Sequence, residues 1–187
     1  MIKTTDIKNL SNAKAVALVG IMAATIECGK LALSFLPNVE VVTLLTAIFG
    51  YVFGWLGVAA ALVFVCIEPL IYGFGSWVIT YLIYWPLVAV VFMLLGRREV
   101  KNRWLLTGVA LGLTLFFGVL SSVIDTAFFL GINGHYFANL CLYYLRGTVF
   151  YLVQLACNAA LFPTLFLYLV EKLKKIGATS TNHKNGN

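Results

Sequence analysis

Apolar residues run almost without interruption from Leu36 to Pro86, and this stretch is the strongest pattern in the chain. Glycine-containing breaks at 53–57 and 73–76 divide it into two short segments and the start of a third. A bilayer-spanning helix needs ~20 apolar residues, so the stretch is long enough to cross a membrane more than twice. Its only charged residues are Glu40 and Glu68. We therefore expect membrane-spanning helices that carry acids at or near membrane depth.

Similar continuous runs on both sides of this stretch predict six helices in all. The expected ranges are 13–35, 41–53, 56–72, 77–95, 104–130 and 140–173. A transmembrane barrel would need apolar residues at every second position instead. Only 11% of the residues are charged, against about 25% in soluble domains. The expected fold class is an all-α polytopic membrane protein, with one transmembrane domain at 13–173 between tails at 1–12 and 174–187.

Basic residues predict the orientation of these helices. The net charge is +6, and most of the lysines and arginines lie in the N-terminal tail, the 97–103 loop and the C-terminal tail. Cytoplasmic segments of membrane proteins carry such an excess of lysine and arginine, so both termini are predicted to be cytoplasmic. This distribution argues against nucleic-acid binding and leaves contact with lipid headgroups or a partner as the alternative. The first apolar segment lacks the small-residue cleavage site of a signal peptide.

The residue types that carry catalysis or metal binding are scarce. The two histidines, His135 and His183, are too far apart for a His-x-x-x-His site. The four cysteines are isolated in or near apolar segments, which indicates small buried side chains rather than zinc or disulfide chemistry. The sequence near Gly29-Lys30 lacks the spacing of a phosphate-binding loop. We expect no catalysis, no ATP hydrolysis, no cofactor and no metal.

Small residues line the first predicted helix. Ala13 and Ala17 share one face, and the stripe beside it consists of Val16, Gly20, Ala24 and Cys28. Small residues four apart let another helix approach closely within a membrane. Two interpretations stay open, packing inside this bundle or docking against a separate membrane subunit.

Ionisable residues within the apolar segments are functional candidates because they are costly to place there. Glu27 and Lys30 lie three residues apart on the first helix, where they could pair across one turn, and we expect them to face the interior or a wet cavity. At ~1.5 Å per residue, Glu68, Asp125 and Arg146 all lie roughly 7–9 Å below the outer surface. They predict a buried polar network, the polar floor of an outward-facing pocket, or only a structural pair between Asp125 and Arg146.

Aromatic residues cluster on the fourth predicted helix. Trp77, Tyr81, Tyr84 and Trp85 follow one another at intervals of four, three and one residues. Trp77 alone fits the interfacial belt of membrane proteins. The others lie deeper and predict either a wall on which a flat solute stacks or ordinary packing.

The apolar pattern also carries a family resemblance. Six short helices, the alanine-rich first helix and the sequence LPNVE…TLLTAIFGYVFG…EPLIYGFGSWVITYLIYWP resemble the substrate-binding S components of energy-coupling factor (ECF) transporters. The resemblance covers about residues 10–175. It implies a multi-pass protein of a bacterial plasma membrane that captures a vitamin-like solute. The expected partners are a transmembrane coupling subunit and two ATPase subunits. No signature of the riboflavin, thiamine, biotin or folate subfamilies is present.

The resemblance also implies functional positions. Ala13 and Ala17 match the family's patch for the coupling subunit. The positions that match its substrate contacts are Asn38, Glu40, Trp77, Tyr81, Asp125, Asn139, Tyr143 and Arg146. Glu68, Tyr72 and Trp85 complete our predicted substrate-binding set. The main alternative is a self-sufficient small-solute carrier or channel, although the internal repeat typical of carriers is not detected. A membrane enzyme or a structural assembly subunit is disfavoured because no catalytic set is present.

Overall fold

The protein is helical throughout the part of the chain that the computed structural model describes, residues 11–36 and 39–182, with side chains as far as Lys175. Its elements are α1 (Asn12–Ala32), α2 (Val42–Phe53), α3 (Trp55–Tyr72), α4 (Ser76–Arg97), α5 (Arg103–Leu130), α6 (Tyr136–Leu161), a π-helical turn (Phe162–Phe166) and α7 (Leu167–Asn182). No strand occurs in these ranges. The prediction of an all-α fold is confirmed.

Five helical segments are long and apolar enough to cross a membrane. They are α1, α3, α4, α5 and the continuous helical segment Tyr136–Lys175, which is formed by α6, the π turn and part of α7. Helix α2 has 12 residues, which at 1.5 Å per residue is about 18 Å against a hydrocarbon core of ~30 Å. The chain is therefore a membrane-embedded helical protein. Its number of crossings and its orientation stay predictions.

Helix α2 lies at the centre of the bundle, in contact with α1, α3, α4, α6 and α7. Glycines permit its close approach to α4. A Cβ atom on Gly50 would collide with the carbonyl of Ala89, and one on Gly96 would collide with the carbonyl of Tyr51. The chain then folds back into α3 at Gly54, whose φ of 61° favours glycine. Small residues thus bring α2, α3 and α4 into backbone contact, as in other membrane bundles.

Aromatic side chains fill the bundle beside the C-terminal end of α4. Phe92 lies 5.6 Å from Phe162 and 5.3 Å from Phe166, between ring centroids. Tyr51 meets Phe166 edge-on at 5.5 Å and donates a hydrogen bond to the Val100 carbonyl at 2.8 Å. These contacts close this end of the bundle. The cavity described next lies towards the other end, beside the connection between α1 and α2.

Candidate functional site

A cavity of about 310 Å³ lies between the end of α1, the start of α2 and α3 to α6. This volume is at the lower end of the ~300–1,000 Å³ typical of small-molecule sites. Its polar lining consists of Lys30, Ser34, Glu40, Thr43, Thr114 and Gln154. Its aromatic lining consists of Phe64, Tyr72, Tyr81, Tyr84, Trp85 and Phe117. The combination of ring faces with a few polar groups is typical of a site for a small organic solute.

The aromatic wall is built mainly from α4 and α5. Tyr81 and Trp85, one helical turn apart, meet edge to face at 5.6 Å. Phe117 reaches across from α5, 4.8 Å from Tyr84 and 6.4 Å from Trp85. Trp77 packs on Tyr81 at 5.2 Å from outside the cavity lining. The rings of this wall that line the cavity are suited to contact with a flat ring.

Glu40 connects the start of α2 with α6. Its carboxylate accepts hydrogen bonds from the Thr43 N–H at 2.9 Å, the Thr43 hydroxyl at 2.6 Å and the Asn158 amide at 3.2 Å. Asn158 also donates to Thr114 at 3.0 Å, and the Cys157 thiol donates to the Glu40 carbonyl at 3.2 Å. The acid therefore satisfies a free N–H group at the start of α2, as helix-capping side chains do, while it lines the cavity.

Lys30 brings a positive charge to the cavity. It forms an ion pair with Glu68 of α3, and its ammonium lies 4.1 Å from the Tyr72 ring centroid and 5.8 Å from that of Tyr81. The Tyr72 hydroxyl in turn donates to Glu27 at 3.5 Å. The predicted pairing of Lys30 with Glu27 is thus wrong. Because α1 packs against α3, Lys30 lies close to Glu68 on that helix and pairs with it.

Buried polar atoms without a hydrogen-bond partner among the described residues occur in and beside this site. Trp85 Nε1 is one of them, and the Trp85 side chain lines the cavity. Glu27 Oε2 and Glu68 Oε1 are two more, in the group around Lys30. Because an unsatisfied buried polar group costs about 1–3 kcal/mol, Trp85 Nε1, which belongs to a lining residue, is a candidate for contact with a bound solute.

The structure brings part of the predicted substrate-binding set together. Four of its members line the cavity, namely Glu40, Tyr72, Tyr81 and Trp85. Glu68 and Trp77 contact lining residues from behind. Asn38 lies outside the described residues.

The other predicted residues do not line this cavity. Asp125 accepts a hydrogen bond from Ser76 at 2.6 Å. Arg146 is exposed, with its guanidinium 5.9 Å from the Tyr143 ring. Asn139 is half-buried near the start of α6. Glu68, Asp125 and Arg146 therefore do not together form the polar floor of this cavity. Asp125 and Arg146, both within the described part of the chain, also form no ion pair with each other.

Sequence reasoning missed several lining residues. Lys30 could have been recognised as a candidate because it is a rare cation in an apolar segment, but we considered only Glu27, on the same helix, as its partner. Thr43 follows Glu40 by three residues, a spacing that capping interactions use. For Thr114 and Phe117 the sequence contains no comparable signal, because α5 is mainly apolar along its 28 residues and the side of it that faces the cavity depends on its neighbours.

The small-residue stripe of α1 faces away from the bundle. Ala13, Ala17 and Ala24 are exposed, Val16 is 71% exposed, and a Cβ on Gly20 would meet nothing within 4 Å. The interpretation as packing inside this chain is therefore wrong. The prediction that the cysteines are buried is also wrong, because three of the four are exposed and the fourth is half-buried. In a membrane protein, lipid can cover such apolar surface.

The fold and the cavity define a class, that of helical membrane-embedded proteins with a solute-sized site inside the bundle. No protein family, curated protein or solved structure matches the chain.

Proposed function

We propose that this chain is the substrate-capture (S) subunit of an ECF-type importer in a bacterial plasma membrane. In this proposal it binds a small water-soluble vitamin or cofactor precursor from outside. A transmembrane coupling subunit and two ATPase subunits then drive delivery into the cell. The observation that carries the proposal is the 310 Å³ cavity, which places aromatic faces and charged groups inside an otherwise apolar bundle.

The closed end of the bundle supports capture rather than conduction. The rings of Tyr51, Phe92, Phe162 and Phe166 pack against one another at centroid distances of 5.3–5.6 Å. A channel needs a continuous path past this cluster. A capture subunit needs only an entrance at one end, followed by a movement that a partner drives.

The exposed stripe of α1 supports a partner within the membrane. Small residues let helix backbones meet, and such contacts drive association where the hydrophobic effect between helices is weak. Ala13 and Ala17 lie on this side of α1 and are exposed. In the proposed assembly they contact the coupling subunit. The six-crossing topology with both termini in the cytoplasm belongs to the same proposal.

Reconstitution into liposomes tests the proposal. The chain is inserted alone, or together with an ECF coupling subunit and its ATPases, and ATP is enclosed on the cytoplasmic side. We expect accumulation of the solute that co-purifies with the chain only in the complete system and only with ATP. Solute flux through the chain alone would support the alternative, a self-sufficient carrier or channel, and would contradict the S-component proposal.

A further inference from the structure

The ionisable groups in and beside the cavity include more acids than bases. Glu40 and Lys30 line the cavity, Glu68 pairs with Lys30, and Glu27 accepts a hydrogen bond from Tyr72. Lys30 is the only cationic residue in the described cavity lining. Three acids and one ammonium therefore lie in and beside the cavity.

The cation in the described lining does not compensate Glu40. Lys30 pairs with Glu68 and not with Glu40. The Glu40 carboxylate instead accepts three hydrogen bonds, two from Thr43 and one from Asn158. These donors are neutral, so they leave the charge of Glu40 without a cationic partner among the described lining residues.

Glu40 also has room for a further donor. An ionised carboxylate has about four acceptor positions, and protein donors occupy three of those of Glu40. The rings of Tyr81 and Trp85 stand in the same lining, and ring faces attract positive charge. Lys30 does not offer an equal site for an anion, because Glu68 already neutralises it.

We propose that this site selects a flat solute with a positive charge, such as a heteroaromatic ring that carries an amidine, amine or ring-nitrogen cation. The ring lies against Tyr81 and Trp85, and its charged edge donates to the Glu40 carboxylate. Glu40 is half-buried, so a bound solute that shields its carboxylate from water makes an unpaired negative charge costly, and a cationic solute supplies the opposite charge. This inference rests on the proposed capture function, and it adds the charge of the substrate.

Three probes of one shape test the charge preference, namely benzamidine (cationic), benzamide (neutral) and benzoate (anionic). Each is added at millimolar concentration to the purified chain in detergent, and the melting temperature is followed, because a ligand of the folded state stabilises it in proportion to its affinity. We expect benzamidine to bind best, roughly tenfold or more tighter than benzoate. Equal responses, a larger response to benzoate, or no response to any probe would overturn the inference.

A pair of matched variants locates the effect. Glu40→Gln keeps an acceptor oxygen for Thr43 and removes the charge, so the preference for benzamidine over benzamide should disappear. Glu171→Gln removes the same charge at an exposed position of α7 and should leave the preference unchanged. Unchanged preference in Glu40→Gln would contradict the assignment. If Glu40→Gln does not fold, the ranking of probes on the unmodified chain still decides.

The failure of this inference can be told apart from failure of the capture function. A retained solute that proves to be an anion would overturn the charge assignment while ATP-dependent uptake stays intact. Flux of a cationic solute through the chain alone would contradict the importer proposal but would still agree with the proposed preference for cations.

Discussion

Lys30 and Glu68, 38 residues apart in the sequence, form an ion pair between α1 and α3 beside the cavity. The Glu68 side chain is 1% exposed and that of Lys30 is 27% exposed. The pair thus holds a cation on the cavity wall and anchors α1, a helix with few buried residues, to the rest of the bundle. Its removal should affect folding and solute binding in different ways.

Lys30→Met should destabilise the fold, because it leaves Glu68 buried without its cation. Loss of one partner of a buried pair costs up to ~3–5 kcal/mol, and the partial exposure of Lys30 places the expected cost at the lower end. The double variant Lys30→Met/Glu68→Met should recover much of this loss. Thermal melting of the two single variants and the double variant measures the coupling. Additive losses would mean that the pair does not stabilise the bundle.

Tyr81→Ala should weaken solute binding by roughly tenfold, because an aromatic contact is worth ~0.5–1.5 kcal/mol beyond its buried area and ~1.4 kcal/mol is one decade. Titration calorimetry with the solute recovered from the purified chain measures this change. Tyr143→Ala is the matched control, since Tyr143 does not line the cavity. Equal affinity of both variants would place the solute elsewhere, and a loss confined to Tyr143→Ala would favour α6.

Gly50→Ala should destabilise the protein by ~1–3 kcal/mol or more, because the added methyl group meets the Ala89 backbone of α4. Gly108→Ala is the control within α5. Nothing lies within 4 Å of its added Cβ atom, and alanine is the better helix former by ~1 kcal/mol. Melting temperatures should therefore move down in the first variant and stay or rise in the second. A tolerated Gly50→Ala would contradict the close contact of α2 with α4.

Ala17→Leu should abolish or strongly reduce uptake by the complete system while solute binding to the isolated chain persists. The leucine widens the exposed face of α1 and keeps a partner helix at a distance. Gly112→Leu makes a similar change on α5, where nothing lies within 4 Å of the position, and should leave uptake largely intact. Loss of binding together with uptake in Ala17→Leu would mean that this face supports the fold instead of a partner.

Cysteine labelling tests the predicted orientation. In a background without native cysteines, a membrane-impermeant thiol reagent added from outside should label Asn133→Cys and spare Lys101→Cys. Both positions are exposed, and the positive-inside rule places the basic 97–103 loop in the cytoplasm. The reverse labelling pattern would refute the six-crossing topology.

The helices could be predicted from the sequence because each is a continuous apolar run bounded by polar or glycine-containing segments. Their starts were within a few residues of the structure, although α6 begins earlier than expected, at Tyr136. The shortness of α2 was also evident from the two breaks that bound it. These are local properties, in which neighbours in sequence are neighbours in space.

The partners of the ionisable residues could not be predicted in the same way. Counting residues from the helix ends predicted similar membrane depths for Asp125 and Arg146. Depth does not determine which side of a helix faces its neighbour. Asp125 meets Ser76, whereas Arg146 is exposed. The rotation of each helix depends on packing contacts such as that of Gly50 with Ala89. These long-range contacts therefore decide which of the candidate residues share a cavity.

The central claim, that the cavity captures a solute, is tested most directly by native mass spectrometry of the chain purified in mild detergent. We expect a single retained small molecule, bound one to one, whose occupancy falls sharply in Tyr81→Ala and stays unchanged in Tyr143→Ala. A folded chain without any retained molecule, or one whose retained molecule is unaffected by Tyr81→Ala, would contradict the account.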